Sequence, residues 1–263
     1  MATITTTELQ DLATLTRQIT ELSFLGALET VLATWCDFDT IVVVIYRPRK
    51  RPILLHPQDP AEQSSTLRFY LAHAYVLDPI FNAIETGTCQ GVYRLAQLAP
   101  DQFEQTEYYQ TCYRDFGLVE ETNLLIPLSS TETCAISLGR NQVSGPIRQR
   151  ELNQLKRFFV MLEALVQQFW QLQGQRWTGE KTQEDNLEAM GQALDSFAAD
   201  RLTEREREIV GLLLRGFSSK AIANDLGISA ETVKVHRKNI HTRLGTSSQA
   251  DIFNLFLQHL QHK

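Results

Sequence analysis

Long apolar runs are missing from this chain. Spanning a bilayer takes roughly 18–20 consecutive apolar residues, and the longest candidate, Ile41–Tyr46, has the length of a strand. Glu8 and Asp11 precede any hydrophobic block, which is not the pattern of a secretory signal and predicts a cytoplasmic protein with no membrane association. Cysteine is sparse as well. Cys36, Cys89, Cys112 and Cys134 form no CxxC pair and have no histidine at ligand spacing, so four reduced, mostly buried thiols are expected rather than a zinc site or disulfide framework. There is no glycine-rich phosphate loop and no nucleophile elbow, and His56 and His73 have no evident catalytic partner. The expectation is a protein that is not an enzyme and carries neither cofactor nor metal.

What is present is an ordinary globular composition, with 43% hydrophobic and 21% charged residues over 263 positions. The formal net charge of −6 conceals a division. Residues 1–200 carry 15 basic against 25 acidic side chains, whereas residues 201–263 carry 10 against 6, with four histidines besides. An acidic module joined to a basic one suggests that the second part meets nucleic acid.

Helical spacing opens the chain, with Leu9, Leu12, Ile19 and Leu22, then Leu25, Leu28, Leu32 and Trp35, at steps of three, four and seven. The period then changes. Ile41–Tyr46 predicts a strand, Arg47–Pro52 a turn or loop, and Ile53–Leu55 a second, antiparallel strand. Leu67–Glu85 predicts helix interrupted at Asp78-Pro79, because the residue before proline resists the helical region. Gly91–Leu95 predicts a short strand, Asp101–Phe116 an aromatic-rich helix ended by Gly117, and Asn123–Leu128 and Thr133–Arg140 two more strands. Five short strands flanked by helices predict an α+β sensor-like domain rather than alternating βαβ units.

Arg148–Gln173 predicts a long helix in which Leu152, Leu155, Phe159, Leu162, Val166 and Phe169 form an a/d seam, widened by Phe158, Leu165 and Leu172. That seam suits a helix laid across its own sheet or a dimer helix, and the apolar face is wide enough to serve both neighbours. Gln173–Asn186 is the best candidate linker, and Leu187, Met190, Leu194 and Phe197 mark a short amphipathic piece after it.

From Leu202 the signals become dense. Thr203 and Glu206 have capping-box spacing ahead of a helix through Ile209, Leu212 and Leu213, which Gly216 should end. Ser218 or Ser219 should cap a second helix bearing Ile222, Ala223 and Leu226; Gly227 permits a tight turn, and Ser229 should cap a third helix, with Glu231 at its positive end. This is a helix-turn-helix, whose third helix would enter the major groove. Projected at about 100° per residue, Val233, Ile240 and Leu244 face a core, with His236 nearer that side. Lys234, Lys238 and His241 face away, flanked by Val235, Thr242 and Arg237. Lysines there suit guanine edges or phosphates, and Val235 a thymine methyl.

Residues 202–245 resemble the LuxR-type, equally NarL-type, helix-turn-helix domain of bacterial transcription regulators. The resemblance implies an all-α four-helix domain whose recognition helix begins in Thr232–Lys238. In it Lys234, Val235 and Lys238 occupy the family's base-contacting positions, and Thr232, Arg237, Ser219 and Lys220 its phosphate-contacting positions. A fourth helix, about Ser248–His259, would offer Phe253 and Leu257 for a dimer contact. The second helix begins SSKAIA where SNKEIA is usual, and Gln249 stands where arginine is common.

Such domains are joined to different sensors. A phosphoreceiver would place an acidic pair after its first strand, whereas Asp37 and Asp39 precede Ile41–Tyr46. The segment around Asp78-Pro79 more nearly resembles the GAF/PAS-like ligand-binding domain of LuxR-type quorum regulators, and in particular solo LuxR proteins. The resemblance implies that the Asp78 carboxylate accepts a hydrogen bond from a ligand, with Tyr93 as the aromatic fifteen residues on. Ser65 stands where the family has tryptophan, and Phe69, beside Tyr70, where it has tyrosine; the first departure speaks against an acyl-homoserine lactone. The alternative for Asp78 is an exposed turn residue. The aromatics Tyr70, Tyr75, Phe81, Tyr93, Tyr109 and Tyr113 suit a core as well as a pocket. Aromatic faces with carboxylates, Asp78 and either Glu120 or Glu121, would suit a cationic or amide-bearing ligand.

The expectation is a transcription regulator that binds double-stranded DNA as a homodimer at a roughly palindromic operator. Residues 1–175 would form the sensor of a small-molecule effector, 176–200 a linker, and 201–263 the DNA-binding domain. Control by a partner protein or by phosphorylation are the alternatives. The candidate ligand-binding residues are Asp78, Tyr70, Tyr75 and Tyr93.

Overall fold

A computed structural model describes residues 4–47, 50–58, 64–72, 74–88, 90–101, 103–106, 109–114, 117–178 and 196–261. Two helices come first, α1 (Thr6–Gln18) and α2 (Phe24–Trp35). Thr5 caps α1: its hydroxyl accepts from the Glu8 amide while Glu8 returns a carboxylate to the Thr5 amide. The apolar side of α2, including Leu28, Val31 and Leu32, turns inward.

Five strands follow in chain order, β1 (Thr40–Arg47), β2 (Lys50–His56), β3 (Gly91–Arg94), β4 (Leu118–Pro127) and β5 (Thr133–Asn141). They form one sheet of order β2-β1-β5-β4-β3, antiparallel at every junction. Two strands begin earlier than their β-branched cores suggest, β2 at Lys50 and β4 at Leu118. The partners explain this: Lys50 pairs with Arg47 and Leu118 with Asn141, so ladder bonds extend each strand past its apolar residues.

Alternation divides the sheet into two packed faces. Val43, Ile45, Leu124, Ile126, Ile136 and Leu138 point toward α1, α2 and the long helix described next. Val44, Tyr46, Leu125 and Ala135 point the other way, toward α3 (Ser65–Ala72), a 3₁₀ turn at Ala74–Leu77 and α4 (Pro79–Glu85). Helices on both faces make the α/β/α sandwich of an α+β sensor domain. A short α5 (Leu95–Leu98) follows β3.

The long helix is α6 (Gln149–Gln173), and all six of its seam residues are buried within their own domain. Leu155 and Leu162 are 0% exposed, each contributing about 1.5–3 kcal/mol by leaving water. The seam is therefore occupied by the chain's own α2 and sheet. On α6 the large apolar side chains left exposed are Val160, Met161 and Leu172. Helical order runs on past the expected start of the linker into α7 (Gln175–Thr178), where Trp177 stacks on Trp170. Residues 179–195, with most of the expected linker and amphipathic piece, lie outside the described residues. Phe197 is described, edge-on to Phe256.

One expected helix is absent. Within Asp101–Phe116 the described residues form a 3₁₀ turn at Phe103–Gln105 and a wide π-type turn at Tyr109–Tyr113. Thr106 competes locally with helix, its hydroxyl donating to the Phe103 carbonyl and accepting from the Tyr109 amide. Mutual packing of Phe103, Tyr109 and Tyr113 then fixes the irregular path. Cys36 and Cys134 are free and buried, and burial pushes both thiols up to about 12; Cys89 lies outside the described residues.

The C-terminal part consists of α8 (Glu204–Leu214), α9 (Ser219–Asp225), α10 (Ala230–Leu244) and α11 (Gln249–Gln261). Thr203 and Glu206 form the capping box, Ser218 caps α9 and Ser229 caps α10. Gly216 (φ +88°) and Gly227 (φ +64°) take the left-handed backbone that follows each of the first two helices.

Candidate ligand cavity and nucleic-acid interface

A cavity of about 490 Å³ opens on the second face of the sheet. Its floor is Val42, Val44 and Tyr46 of β1 with Ser137 of β5; α3 contributes Leu67 and Tyr70, and the turn before α4 contributes Asp78 and Pro79. Phe103 and Tyr113 close one side, which is the role their irregular segment serves.

Asp78 sits in that wall for a local reason. It is the extended residue before proline and the N-cap of α4, its Oδ1 accepting from the Ile80 amide at 2.7 Å. Its Oδ2 accepts from the Tyr70 hydroxyl at 2.5 Å, and the Tyr70 hydroxyl also meets that of Tyr46, so three side chains form a chain of hydrogen bonds along the cavity. Burial raises the Asp78 carboxyl to about 6, against the lowering effect of the Tyr70 and Ile80 bonds.

A second carboxyl lines the same space. Glu121 of β4 is pushed up to about 8 by burial and then by the charge of Asp78. One of its oxygens accepts from Asn123 Nδ2 at 3.0 Å, and Asn123 Oδ1 accepts from Ser137 Oγ at 2.6 Å. Glu120 takes the opposite side of the strand, where it pairs with Arg94 and accepts from the Ile147 amide.

The other aromatics are placed differently. Tyr75 is 1% exposed, edge-on to Phe81, and lies outside the cavity wall. Tyr93 also lies outside that wall, its hydroxyl donating to the Gln90 carbonyl at 2.7 Å. Tyr46, absent from the sequence candidates, carried one usable signal: it ends the β-branched run two residues after Val44, on the same face.

On the basic domain, α10 turns Val233, Ile240 and Leu244 into the core and leaves Lys234, Val235 and Lys238 in solvent, with Val235 59% exposed. Thr232 sits in the first turn, its amide bonded to the Ser229 hydroxyl. Lys234 pairs with Glu231 at 2.7 Å on the exposed surface. Arg237 donates to Ser219 Oγ at 3.0 Å, joining the start of α9, where Lys220 is exposed, to α10. His241 is turned toward Thr246, its Nδ1 2.8 Å from the Thr246 hydroxyl, and burial holds it below the usual histidine value. His236 is half-buried, with Nδ1 inside the domain.

The two parts touch. Asp101 accepts from the Ser218 hydroxyl at 3.1 Å, and Gly216 lies against Thr106 and Pro100, where a Cβ would collide with the Thr106 methyl. The segment that supplies Phe103 to the cavity therefore also abuts the turn between α8 and α9. No helix among the described residues is long and apolar enough to cross a membrane.

Residues 200–256 match the family described as bacterial regulatory proteins, luxR family. An HTH-type transcriptional regulator from the exeN 3' region of Aeromonas salmonicida is 38% identical over 187 residues, covering 70% of this chain and 94% of that protein. The transcriptional regulatory protein MctR of Rhizobium johnstonii is 41% identical over 70 residues, 27% of this chain and 32% of its own. Among solved structures, the LBD domain of VqsR from Pseudomonas aeruginosa superposes with a TM-score of 0.57 at 19% identity, over 64% of this chain and 98% of its own, a likeness of fold. With a relative matched over nearly its whole length and a helix-turn-helix capped at each helix start, this chain belongs to the LuxR family of bacterial transcriptional regulators.

Proposed function

We propose that this regulator binds DNA as a dimer and that its N-terminal domain senses a small molecule. Residues 1–175 form the sensor, 176–200 the linker and 201–263 the DNA-binding domain. The observation that carries the reading is the cavity of about 490 Å³ with Tyr46, Tyr70 and Asp78 bonded along its wall, a size and a mixture of apolar and polar side chains suited to a small ligand.

In this reading Lys234, Val235 and Lys238 contact base edges, while Thr232, Arg237, Ser219 and Lys220 hold phosphates and His241 borders the same face. A twofold dimer then reads a roughly palindromic operator. Occupancy of the cavity moves Phe103, and with it the Pro100–Thr106 segment that meets Gly216 and Ser218. Since α6 keeps its seam for its own core, Val160, Met161 and Leu172 are the apolar positions on that helix open to a second copy.

Native mass spectrometry of the full chain, purified gently from its own host, tests this. A dimer carrying a small-molecule adduct is the expected result, and the released mass identifies its class. A monomer overturns the dimer mechanism. A dimer that never carries an adduct, and gains thermal stability only with a protein partner, overturns the small-molecule reading.

A further inference from the structure

Resting on the sensor reading, we infer that the cavity takes a cationic ligand, an amine whose ammonium is held between Asp78 and Glu121 with its apolar body against the ring of Tyr70 and the side chain of Val44.

The first argument is the charge of the wall. Asp78 and Glu121 both line the cavity, and no lysine or arginine does so among the described residues. Buried carboxyls are ordinarily matched by a basic side chain or a metal. Glu120, one residue away, shows that pattern with Arg94 on the other face of the same strand. Glu121 has only the Asn123 amide, on one oxygen, and its other oxygen accepts no hydrogen bond from the described residues.

The second argument is the use of donors. The Tyr46 and Tyr70 hydroxyls are engaged with each other and with Asp78, and the Asn123 amide is engaged with Glu121. The donors around Asp78 and Glu121 are therefore committed, and the wall's remaining donors are the hydroxyls of Thr40, Ser64, Thr66 and Tyr113 and the His56 ring, which pairs with Glu29. A ligand carboxylate or phosphate would meet the Asp78 and Glu121 carboxyls with no lysine or arginine in the described wall, and the His56 imidazole there already pairs with Glu29 at 3.1 Å. An ammonium supplies the positive charge that no lysine or arginine of the described wall provides, with N–H donors for the carboxyl oxygens, and aromatic faces add cation–π attraction. The elevated proton affinities of Asp78 and Glu121 agree with this: burial raises both, and the charge of Asp78 adds to the rise at Glu121, a cost that a bound cation would offset.

Glu121 is then the specificity-determining residue. Asp78 has structural work as the N-cap of α4, whereas Glu121 makes no comparable backbone bond.

The test uses three probes of one shape on the full-length protein: 2-phenylethylamine, 2-phenylethanol and phenylacetate, at millimolar concentration near neutral pH. The thermal midpoint is read by intrinsic fluorescence. The amine should raise it, the alcohol less, and the acid not at all. Glu121→Gln should weaken the amine by about thirtyfold or more, the loss that follows when one partner of a desolvated charge pair is removed, and leave the alcohol unaffected. Asp78→Asn, which keeps an oxygen for the helix cap, provides a second variant should the first fail to fold. Equal stabilisation by alcohol, acid and amine, or an amine response unchanged in a folded Glu121→Gln, overturns the cationic assignment and leaves the sensor reading standing. If no probe of any charge stabilises the chain, the cationic assignment falls, while the sensor reading is decided separately by the adduct measurement.

Discussion

Replacing Glu121 by glutamine should make the ligand-free sensor more stable, increasingly so as pH rises. Burial and the neighbouring Asp78 lift the Glu121 carboxyl from 4.5 to about 8. Between those values the folded chain holds a proton that the unfolded chain has released, so the unfolded state binds fewer protons and stability falls with rising pH. The slope is at most about 1.4 kcal/mol per pH unit. Across the whole window it amounts to on the order of 5 kcal/mol against the charged form, and about 3 kcal/mol has accrued by neutral pH. Glutamine keeps the shape and the oxygen that Asn123 bonds but has no charge to bury. The three tryptophans all lie outside the DNA-binding domain, Trp35 and Trp170 in the sensor and Trp177 just beyond it, stacked on Trp170, so fluorescence follows the sensor's unfolding. Urea denaturation of both proteins at about pH 5, 7 and 9 should give curves that nearly coincide at the lowest value and separate by several kcal/mol at the highest. Asp78 adds its own slope between 3.8 and about 6, in both proteins. A difference constant across pH would refute the argument, because it would mean that Glu121 is not desolvated in the folded state.

Lys234→Ala and Lys238→Ala should each weaken specific DNA binding by about 1–3 kcal/mol, measured by fluorescence anisotropy on the operator. The wild-type affinity should itself fall steeply with salt, and undiminished affinity in both variants would reject the recognition face. Leu162→Ala, at a position 0% exposed on α6, should cost the sensor about 2–5 kcal/mol, read from the same tryptophan signal. In the DNA-binding domain, burial alone would raise Glu206, but bonds from the Thr203 amide and hydroxyl together with Arg243 hold it below the usual glutamate value. Its contribution is present above the unfolded glutamate value and is lost as pH falls through the folded one. Helical circular dichroism of Glu206→Gln should therefore show a less acid-sensitive but, at neutral pH, less stable domain.

The parts of this protein differ in how openly they can be read. In the helix-turn-helix, the decisive contacts span three or four residues. Thr203 with Glu206, Ser229 with Thr232 and the glycines after α8 and α9 act within one turn of chain, and the inward positions Val233, Ile240 and Leu244 follow from the helical repeat alone. The α6 seam was equally visible as a pattern, but its destination was not. Only the packed sheet shows that these side chains cover their own domain, leaving Val160, Met161 and Leu172 outside. Asp101–Phe116 misled for a related reason. Its helical spacing is real, yet Phe103 and Tyr113 are required in the cavity wall, and Thr106 bonds its own backbone instead of sustaining a helix.

The sequence by itself determined the DNA-binding domain, the break at Asp78-Pro79 and the presence of a strand-rich acidic module, because each is written in neighbours along the chain. Tertiary structure alone decided which acidic residue enters the cavity. Glu120 and Glu121 are adjacent and chemically equivalent, and a strand sends successive side chains to opposite faces. Register places Glu121 with Tyr46, Tyr70 and Asp78, and sends Glu120 to Arg94. The cavity is assembled from β1, α3, the turn before α4, β4 and the Phe103 segment, which meet only when the sheet closes, so no local pattern could have announced it.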